Sequence, residues 1–372
     1  MTVAAFMDLA LYDSERGYYA RAAQRSGRAG DFFTSVDVGP IFGELVEAQL
    51  AEMGAILNSE SGIWDFDLVE AGAGNARLSA DILRAARAHH PTFYESLRLH
   101  LVEASGEARA AQQATLGDMA DRLASSGEAL PASFEGVLLA NELLDALPVH
   151  QVVMRASGLR EVYVESGTRG RTGVRPPSDP GLSPPLHLVE GPLSTPALAE
   201  YLDRLGTTLE PGWRAEINLR AVDWIREAAR RLRRGFIILI DYGHDARELY
   251  SPAHAGGTLT TFARHQSRGP ESAPETPAWL RNPGEQDLTA HVDFTSVRAA
   301  AEAEGLTTIA FLDQTYFLLG LLPEVRNPQS AIRNVKTLVM PGGLGSTHKV
   351  LILGKGVGAP ALRGCSFRVR VT

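Results

Sequence analysis

The segment Val69-Glu70-Ala71-Gly72-Ala73-Gly74 follows a short apolar run from Asp67 and precedes a helical pattern marked by Leu78, Ile82 and Leu83. Glycines at such a point let the backbone turn sharply and let a ligand approach with no Cβ in the way. A strand, a loop of this kind and a helix, in that order, place a nucleotide-like ligand at the carboxyl edge of a sheet, although an ordinary turn uses the same residues. Glu103 ends the next apolar run, Leu99-His100-Leu101-Val102-Glu103, where a carboxylate can accept from both hydroxyls of a ribose. Two features favour an adenosyl-methionine ligand over a dinucleotide. The dinucleotide fingerprint needs a small residue three positions beyond Gly74, and Arg77 is long and charged. Glu70 would also sit badly beside a pyrophosphate, whereas it suits the cationic methionine end of S-adenosylmethionine. Glu70, Gly72, Gly74 and Glu103 are therefore the first candidate cofactor residues.

Such a loop needs a sheet to hold it. Further apolar strands are expected at Leu97 to Val102, Gly136 to Ala140 and Phe236 to Ile240, with helical patterns between them. Strands alternating with helices predict an open α/β sheet wound on both faces. Thr307 to Leu312 and Lys349 to Leu353 suit an antiparallel pair closing one edge of it. Helical spacing also covers Val3 to Tyr12 and resumes near Pro40 with Ile41, Leu45 and Leu50. Ser166 to Pro185 reads as a hairpin-like insertion with a mobile tip, and Gln266 to Gln286, rich in proline and glycine, as a lid or a disordered loop. The expected organisation is an N-terminal helical cap with a cofactor-covering loop (1–60), a cofactor-binding half (61–150), an insertion (151–234), a second half of the core (235–354) carrying the lid-like loop 266–286, and a loose tail (355–372).

The 372 residues are 44% hydrophobic and 22% charged, a globular balance with material for a sizeable core. A net charge of -8 argues against a phosphate-binding surface, so nucleic acid is not an expected partner. Cys365 is the single cysteine, which excludes an internal disulfide and a thiolate zinc cluster; no metal is expected, and a reducing cytoplasm is the expected location. The first thirty residues lack the pattern of a secretion signal, and no apolar run is long enough to span a membrane.

Several motifs resemble those of the MidA-type methyltransferase family. They are Leu11-Tyr12-Asp13 with Gly17-Tyr18-Tyr19, Gly30-Asp31-Phe32-Phe33-Thr34-Ser35, Ile41-Phe42-Gly43-Glu44, Ala140-Asn141-Glu142-Leu143-Leu144-Asp145-Ala146-Leu147-Pro148, Leu239-Ile240-Asp241-Tyr242-Gly243, and the stretch from Pro283 through Asp287-Leu288-Thr289-Ala290-His291-Val292-Asp293-Phe294. They occur in family order between Leu11 and Leu353. The chain departs from the family at Val36-Asp37, where a Pro-Glu pair is usual, and at Asn75-Ala76, where Arg and Gly are usual.

The resemblance implies a Rossmann-like class I methyltransferase sheet with an N-terminal helical cap and inserted segments. It implies S-adenosylmethionine as cofactor and methylation of an arginine on a protein, a respiratory complex I subunit being the family's known type of substrate. Guanidinium stays protonated, so attack on a sulfonium methyl needs carboxylates that grip two of its nitrogens and align the third. Glu142 is the expected clamp, Asn141 an orienting acceptor, and Asp145 a second charge or a structural anchor at a helix start. Asp241 completes the clamp or serves a turn. His291 and Asp293 line the pocket and accept a proton late in the reaction, or are structural. Gly30, Thr34 and Ser35 cover the cofactor, or form turns and caps. Rival readings are a non-catalytic assembly factor on the same fold, and methylation of a small molecule or another side chain. Oligomeric state is open, a homodimer included.

The loop chemistry predicts that the purified chain binds S-adenosylmethionine and S-adenosylhomocysteine but not NAD. Calorimetry checks this: saturable NAD binding with no response to S-adenosylhomocysteine would overturn the reading of Arg77, Glu70 and Glu103.

Overall fold

The structure, a computed structural model, describes residues 1–20, 34–61, 65–167, 186–263, 266–269, 277–324, 335–339 and 344–367. Strands β1 (Phe66–Ala71), β2 (Leu97–Val102), β3 (Leu123–Gly127), β4 (Phe134–Asn141) and β9 (Leu232–His244) run parallel in the order 3-2-1-4-9. Antiparallel β15 (His348–Lys355) and β14 (Thr307–Asp313) extend the sheet beyond β9, and the two-residue β13 (Val292–Asp293) pairs with the end of β9. The strand order reverses between β1 and β4. In an open sheet of this kind the crevice outside the carboxyl ends at that reversal is where ligands bind.

Period-two alternation explains why helices cover both faces. Leu68, Val137, Leu139, Phe236, Ile238 and Ile240 point into one layer, with α2 (Ile41–Ser61), α3 (Arg77–His89) and the helix Gln314–Leu321. Their neighbours Val69, Leu138, Ala140, Ile237 and Leu239 point into the other, against the helices Leu219–Arg231 and Phe294–Ala303. All six residues of β1 are buried, as a strand covered on both sides requires. Gly136 and Gly235 face each other across β4 and β9, both with positive φ, and a Cβ on Gly235 would lie 1.9 Å from the Gly136 oxygen. No side chain fits at that crossing.

A second sheet, in the order β7 (Leu186–Gly191), β6 (Gly158–Ser166), β5 (His150–Arg155) and β8 (Arg214–Ile217), is antiparallel and stands beside the first. Helix α1 (Val3–Tyr12) lays Val3, Phe6, Met7, Ala10 and Leu11 on Val149, Val153, Val162 and Val164, so it caps this sheet. A third, β11 (Gln266–Arg268), β10 (Thr260–Ala263) and β12 (Asp287–Thr289), joins the same cluster through Leu288. Among the described residues no helix is long and apolar enough to cross a membrane.

The organisation read from sequence differs from the structure in three places. α2 lies inside the core rather than in a cap, because Phe42, Leu45, Val46, Leu50 and Met53 form one continuous apolar stripe. The expected boundary at 234 falls within β9, and the helix Leu219–Arg231 belongs to the core layer. The described part of the tail, 355–367, is not loose: Leu362 is buried, and Gly364 N donates to Gln49 Oε1 at 3.0 Å, while 368–372 lie outside the described residues. Of the lid-like loop, Trp279 and Leu280 are buried against α1, with the Phe6 and Trp279 rings 5.8 Å apart; 270–276 lie outside the described residues. So does 168–185, the core of the expected hairpin insertion.

Candidate active site

A cavity of about 380 Å³ opens at the carboxyl ends of β1, β2 and β4, where the strand order reverses. Its floor is the glycine loop. Gly72 N and Ala73 N donate to Val102 O at 2.9 and 3.1 Å, which pins the loop to the end of β2. Gly72 and Gly74 take φ values of 72° and 50°, and Ala76 takes 69° where the loop enters α3. A Cβ on Gly74 would meet nothing within 4 Å, so the backbone there faces open pocket.

Glu103 holds this floor. Its Oε2 accepts from Gly74 N and its Oε1 from Ser105 N, both at 2.8 Å. A carboxylate offers about four lone-pair sites, so it keeps capacity for the two hydroxyls of a ribose. Gln112 Nε2 donates to Gly74 O at 2.8 Å and Ser126 Oγ to Gln112 Oε1 at 2.7 Å, a second tie under the loop. Glu70 is buried on the wall and accepts from Ser79 Oγ. Burial pushes its carboxyl up to about 7. This set of a diol acceptor, open glycine backbone and a buried carboxylate facing a cationic group fits S-adenosylmethionine.

The opposite wall is the turn after β4. Glu142 has φ 52°, a left-handed conformation that costs a non-glycine residue about 1–2 kcal/mol. Asp241, at the matching height on β9, holds it there. Asp241 Oδ2 accepts from the backbone N–H groups of Leu143, Leu144 and Asp145 at 3.1, 2.7 and 3.4 Å, and Oδ1 from Tyr242 N at 2.8 Å. Glu142 N donates to Ile240 O at 2.8 Å. The Glu142 carboxylate then meets Asn141 Nδ2 at 3.3 Å and the buried His348 Nε2 at 3.4 Å. Asn141 and Glu142 both line the cavity.

Behind them lies a dense set of acids. Burial first, then Asp241, Glu142 and Asp287, holds the Asp145 carboxyl well above the ordinary range, and burial raises Asp241 to about 7. Tyr19 OH donates to Asp287 Oδ1 at 2.9 Å and Tyr12 OH to Ala146 O at 3.1 Å, so both tyrosines close the cavity from the N-terminal side. Neither tyrosine, nor Asp287 or His348, was singled out in the sequence as a site residue. Their partners lie far along the chain, and no local spacing signals them.

Of the remaining candidates, Thr34 alone among the described residues reaches the cavity. Thr34 lines the cavity, with its N and Oγ1 both donating to Asp37 Oδ2 at 3.0 Å. Arg77 Nη1 pairs with Asp37 Oδ1 at 2.6 Å, so the residue at the dinucleotide fingerprint position instead locks the N-terminal segment over the loop. Ser35 is buried and donates to Gln314 Oε1 at 3.3 Å, away from the cavity lining. Gly30 lies outside the described residues. Asp293 caps the helix Phe294–Ala303, accepting from Thr295 N, Ser296 N, Ser296 Oγ and Tyr201 OH at 2.9, 3.2, 2.6 and 2.8 Å. Those four donors fill its carboxylate. His291 does not line the cavity; burial and the imidazoles of His244 and His254 push it down to about 4, which makes it a poor proton acceptor at neutral pH.

Glu70 gives a pH test. Its folded carboxyl titrates near 7 against 4.5 for an unperturbed one, so its stabilising contribution is whole below about 4.5 and is lost as pH rises through about 7. Glu70→Gln keeps an acceptor for Ser79 and removes the titration. Relative to wild type, the unliganded variant should gain stability between about pH 5 and pH 8, by up to about 3 kcal/mol in denaturant melts. A difference that stays constant across that range would show that Glu70 ionises as an ordinary exposed acid.

The geometry has counterparts among known proteins. Protein arginine methyltransferase NDUFAF7, a mitochondrial protein of Mus musculus, is 30% identical over 350 residues, 88% of this chain and 72% of the relative. The Drosophila melanogaster homolog, also named mitochondrial, is 28% identical over 391 residues, 95% of this chain and 82% of the relative. A crystal structure from Burkholderia thailandensis with S-adenosyl-homocysteine bound has a TM-score of 0.82 at 30% identity, covering 99% of this chain and 90% of that one. The mitochondrial names of these relatives correct the expectation of a cytoplasmic location: a single cysteine excludes an internal disulfide but does not identify a compartment. A family model described as a putative S-adenosyl-L-methionine-dependent methyltransferase matches residues 45–312, from the core of α2 to the end of β14. The chain is a methyltransferase enzyme with S-adenosylmethionine as its cofactor, and it belongs to the MidA-type family that its motifs resemble and that includes the NDUFAF7 proteins.

Proposed function

We propose that the chain methylates arginine side chains on a protein, with Glu142 as the carboxylate that grips the guanidinium. The observation that supports this most is the acid set on the wall facing the glycine loop. Glu142, Asp145, Asp241 and Asp287 crowd together in and behind one turn, and their mutual repulsion and burial are relieved by a cation. Guanidinium is such a cation at every physiological pH, and its planar fork suits paired carboxylate acceptors. The relatives named above as protein arginine methyltransferases support the same acceptor.

In this reading S-adenosylmethionine, when bound, supplies the methyl group as an electrophile on a sulfonium. The chain supplies position. Glu103 and the glycine loop hold the adenosyl end, Glu70 faces the cationic end, and Glu142 with Asn141 turns one guanidinium nitrogen toward the loop. Asp241 holds Glu142 through the backbone, and Asp145 behind it, held well above the ordinary carboxyl range, ionises more readily once the guanidinium is seated. The proton released on transfer leaves to a carboxylate of this set. Holding both partners aligned accounts for several kcal/mol of the barrier lowering. The acceptor that the family resemblance implies is a respiratory complex I subunit, and arginine-bearing peptides of such subunits are the first to assay.

Gly72→Val and Glu142→Gln separate binding from transfer. Valine at Gly72 places a β-branched side chain at φ 72°, where a Cβ already comes within 3.2 Å of Leu143, so cofactor binding and turnover should both fail. Glu142→Gln should leave cofactor affinity within about twofold and cut methyl transfer by about 100-fold or more, the scale of one charged hydrogen bond lost at the acceptor. Calorimetry with S-adenosylmethionine, beside mass-spectrometric identification of the methylated residue, reads both. Wild-type transfer by Glu142→Gln, or a methyl group on lysine or a small molecule and none on arginine, would overturn the proposal.

A further inference from the structure

Three histidines meet at the end of β9, outside the cavity lining. His244 is the last residue of β9, His254 ends the short turn Pro252–His254, and His291 lies between β12 and β13. Their ring centroids are 4.9, 5.2 and 5.8 Å apart, and one ring nitrogen from each lies within 4.8 Å of the other two. Each side chain is half-buried. From the residues and geometry we infer that His244, His254 and His291 form a binding site for a borderline divalent transition-metal ion, zinc being the representative case.

The outer contacts carry the inference beyond proximity. A ligating imidazole uses one nitrogen on the metal and directs the other to a carboxylate or a carbonyl, which fixes its tautomer. His254 Nδ1 lies 3.0 Å from the backbone oxygen of Glu248, so it donates there and leaves Nε2 as the ligand. His244 Nδ1 lies 3.0 Å from Glu248 Oε1, within pairing distance but off hydrogen-bond alignment, so a small ring rotation completes the same arrangement. One residue thus orients two rings. His291 Nδ1 is buried with no protein partner, an arrangement that costs free energy unless something accepts or coordinates there.

Zinc–nitrogen bonds of about 2.0–2.1 Å put tetrahedral ligand atoms about 3.3 Å apart, so the rings must close by about 1.5 Å at most. Imidazole alone, without thiolate, suits zinc, cobalt, nickel or copper and disfavours magnesium and calcium. Three protein ligands, the number among the described residues, leave a fourth position for water. The ion would act on the acceptor wall. His244 follows Asp241 and Tyr242 on β9, while Ala290, next to His291, donates its N–H to Asp145 O at 2.9 Å. A metal bridging these segments would staple both sides of the Glu142 turn together. The site stands apart from the methyl acceptor reading and survives its failure.

Cobalt chloride titrated into the full chain, after chelator treatment and desalting, tests the site through the visible absorption of tetrahedral cobalt. The expected result is saturation at one ion per chain, displacement by zinc, no response to magnesium, and a higher melting temperature with zinc. His254→Gln should weaken cobalt binding by at least about tenfold, and Glu248→Gln, which loses the partner of one ring, by about tenfold. S-adenosylhomocysteine binding, unchanged in both variants, confirms that they fold; should His244→Gln fail to fold, the half-exposed His254 still carries the test. No cobalt absorption at stoichiometric ion, or absorption unaltered in His254→Gln, would overturn the site.

Discussion

The carboxylate of Asp241 gathering the backbone N–H groups of Leu143, Leu144 and Asp145 is the contact on which the catalytic end of the sheet depends. A chain leaving β4 would otherwise have no reason to hold Glu142 in a left-handed conformation. Three donors converging on one buried oxygen make that conformation the way to satisfy the turn, at a cost of about 1–2 kcal/mol in backbone strain. The result is a Glu142 side chain fixed on the pocket wall, with Asn141 and His348 beside its carboxylate. Asp241 can do this only because β4 and β9 are adjacent, parallel and in register, Asn141 opposite Ile240.

The same adjacency creates the electrostatic problem from which the proposed preference for a cationic acceptor follows. Burying Asp241 and Asp145 together raises both carboxyls, and the neighbouring Glu142 and Asp287 add to the repulsion. A neutral acceptor would leave that unfavourable charge uncompensated. A permanent cation relieves it, and only once seated, which couples acceptor binding to the ionisation of the wall. On the cofactor side the logic is reversed: two backbone donors already tie Glu103 to the loop, so the loop is held in place without a ligand.

Much of this was readable from residue order. The alternating strands of the parallel sheet announce themselves because each is buried on two faces and is apolar along its length, as in Val137-Leu138-Leu139-Ala140 and Phe236-Ile237-Ile238-Leu239. Glu70, Gly72, Gly74, Glu103, Asn141 and Glu142 all line the cavity, since a loop directly after a strand ends at the ligand edge whatever the rest of the chain does. Ser35 and Asp293 show where such reasoning runs out. Ser35 is turned away by Gln314, and Asp293 is consumed by a helix start and by Tyr201, partners that no local pattern reveals. Tyr12 and Tyr19 stand in motifs that carry the resemblance, yet no local pattern shows that they close the cavity; His348 has no local signal at all, and the three-histidine cluster joins segments on different elements. Arg77, read from the sequence as a poor fit to a dinucleotide loop, also clamps Asp37.

Asp241 is proposed as a positioning residue that works through the backbone, not as a group that grips the acceptor. Steady-state methyl transfer by Asp241→Asn, beside Asp241→Ala, tests this most directly. Asparagine can still present an oxygen to the three N–H groups while lacking the charge. Asp241→Asn should therefore keep kcat within about tenfold of wild type with little change in acceptor KM, while Asp241→Ala, which removes the acceptor of four backbone N–H groups, should lose about 100-fold or more in kcat. An Asp241→Asn enzyme as impaired as Asp241→Ala, with the loss in acceptor KM, would place the Asp241 charge on the guanidinium and contradict the account.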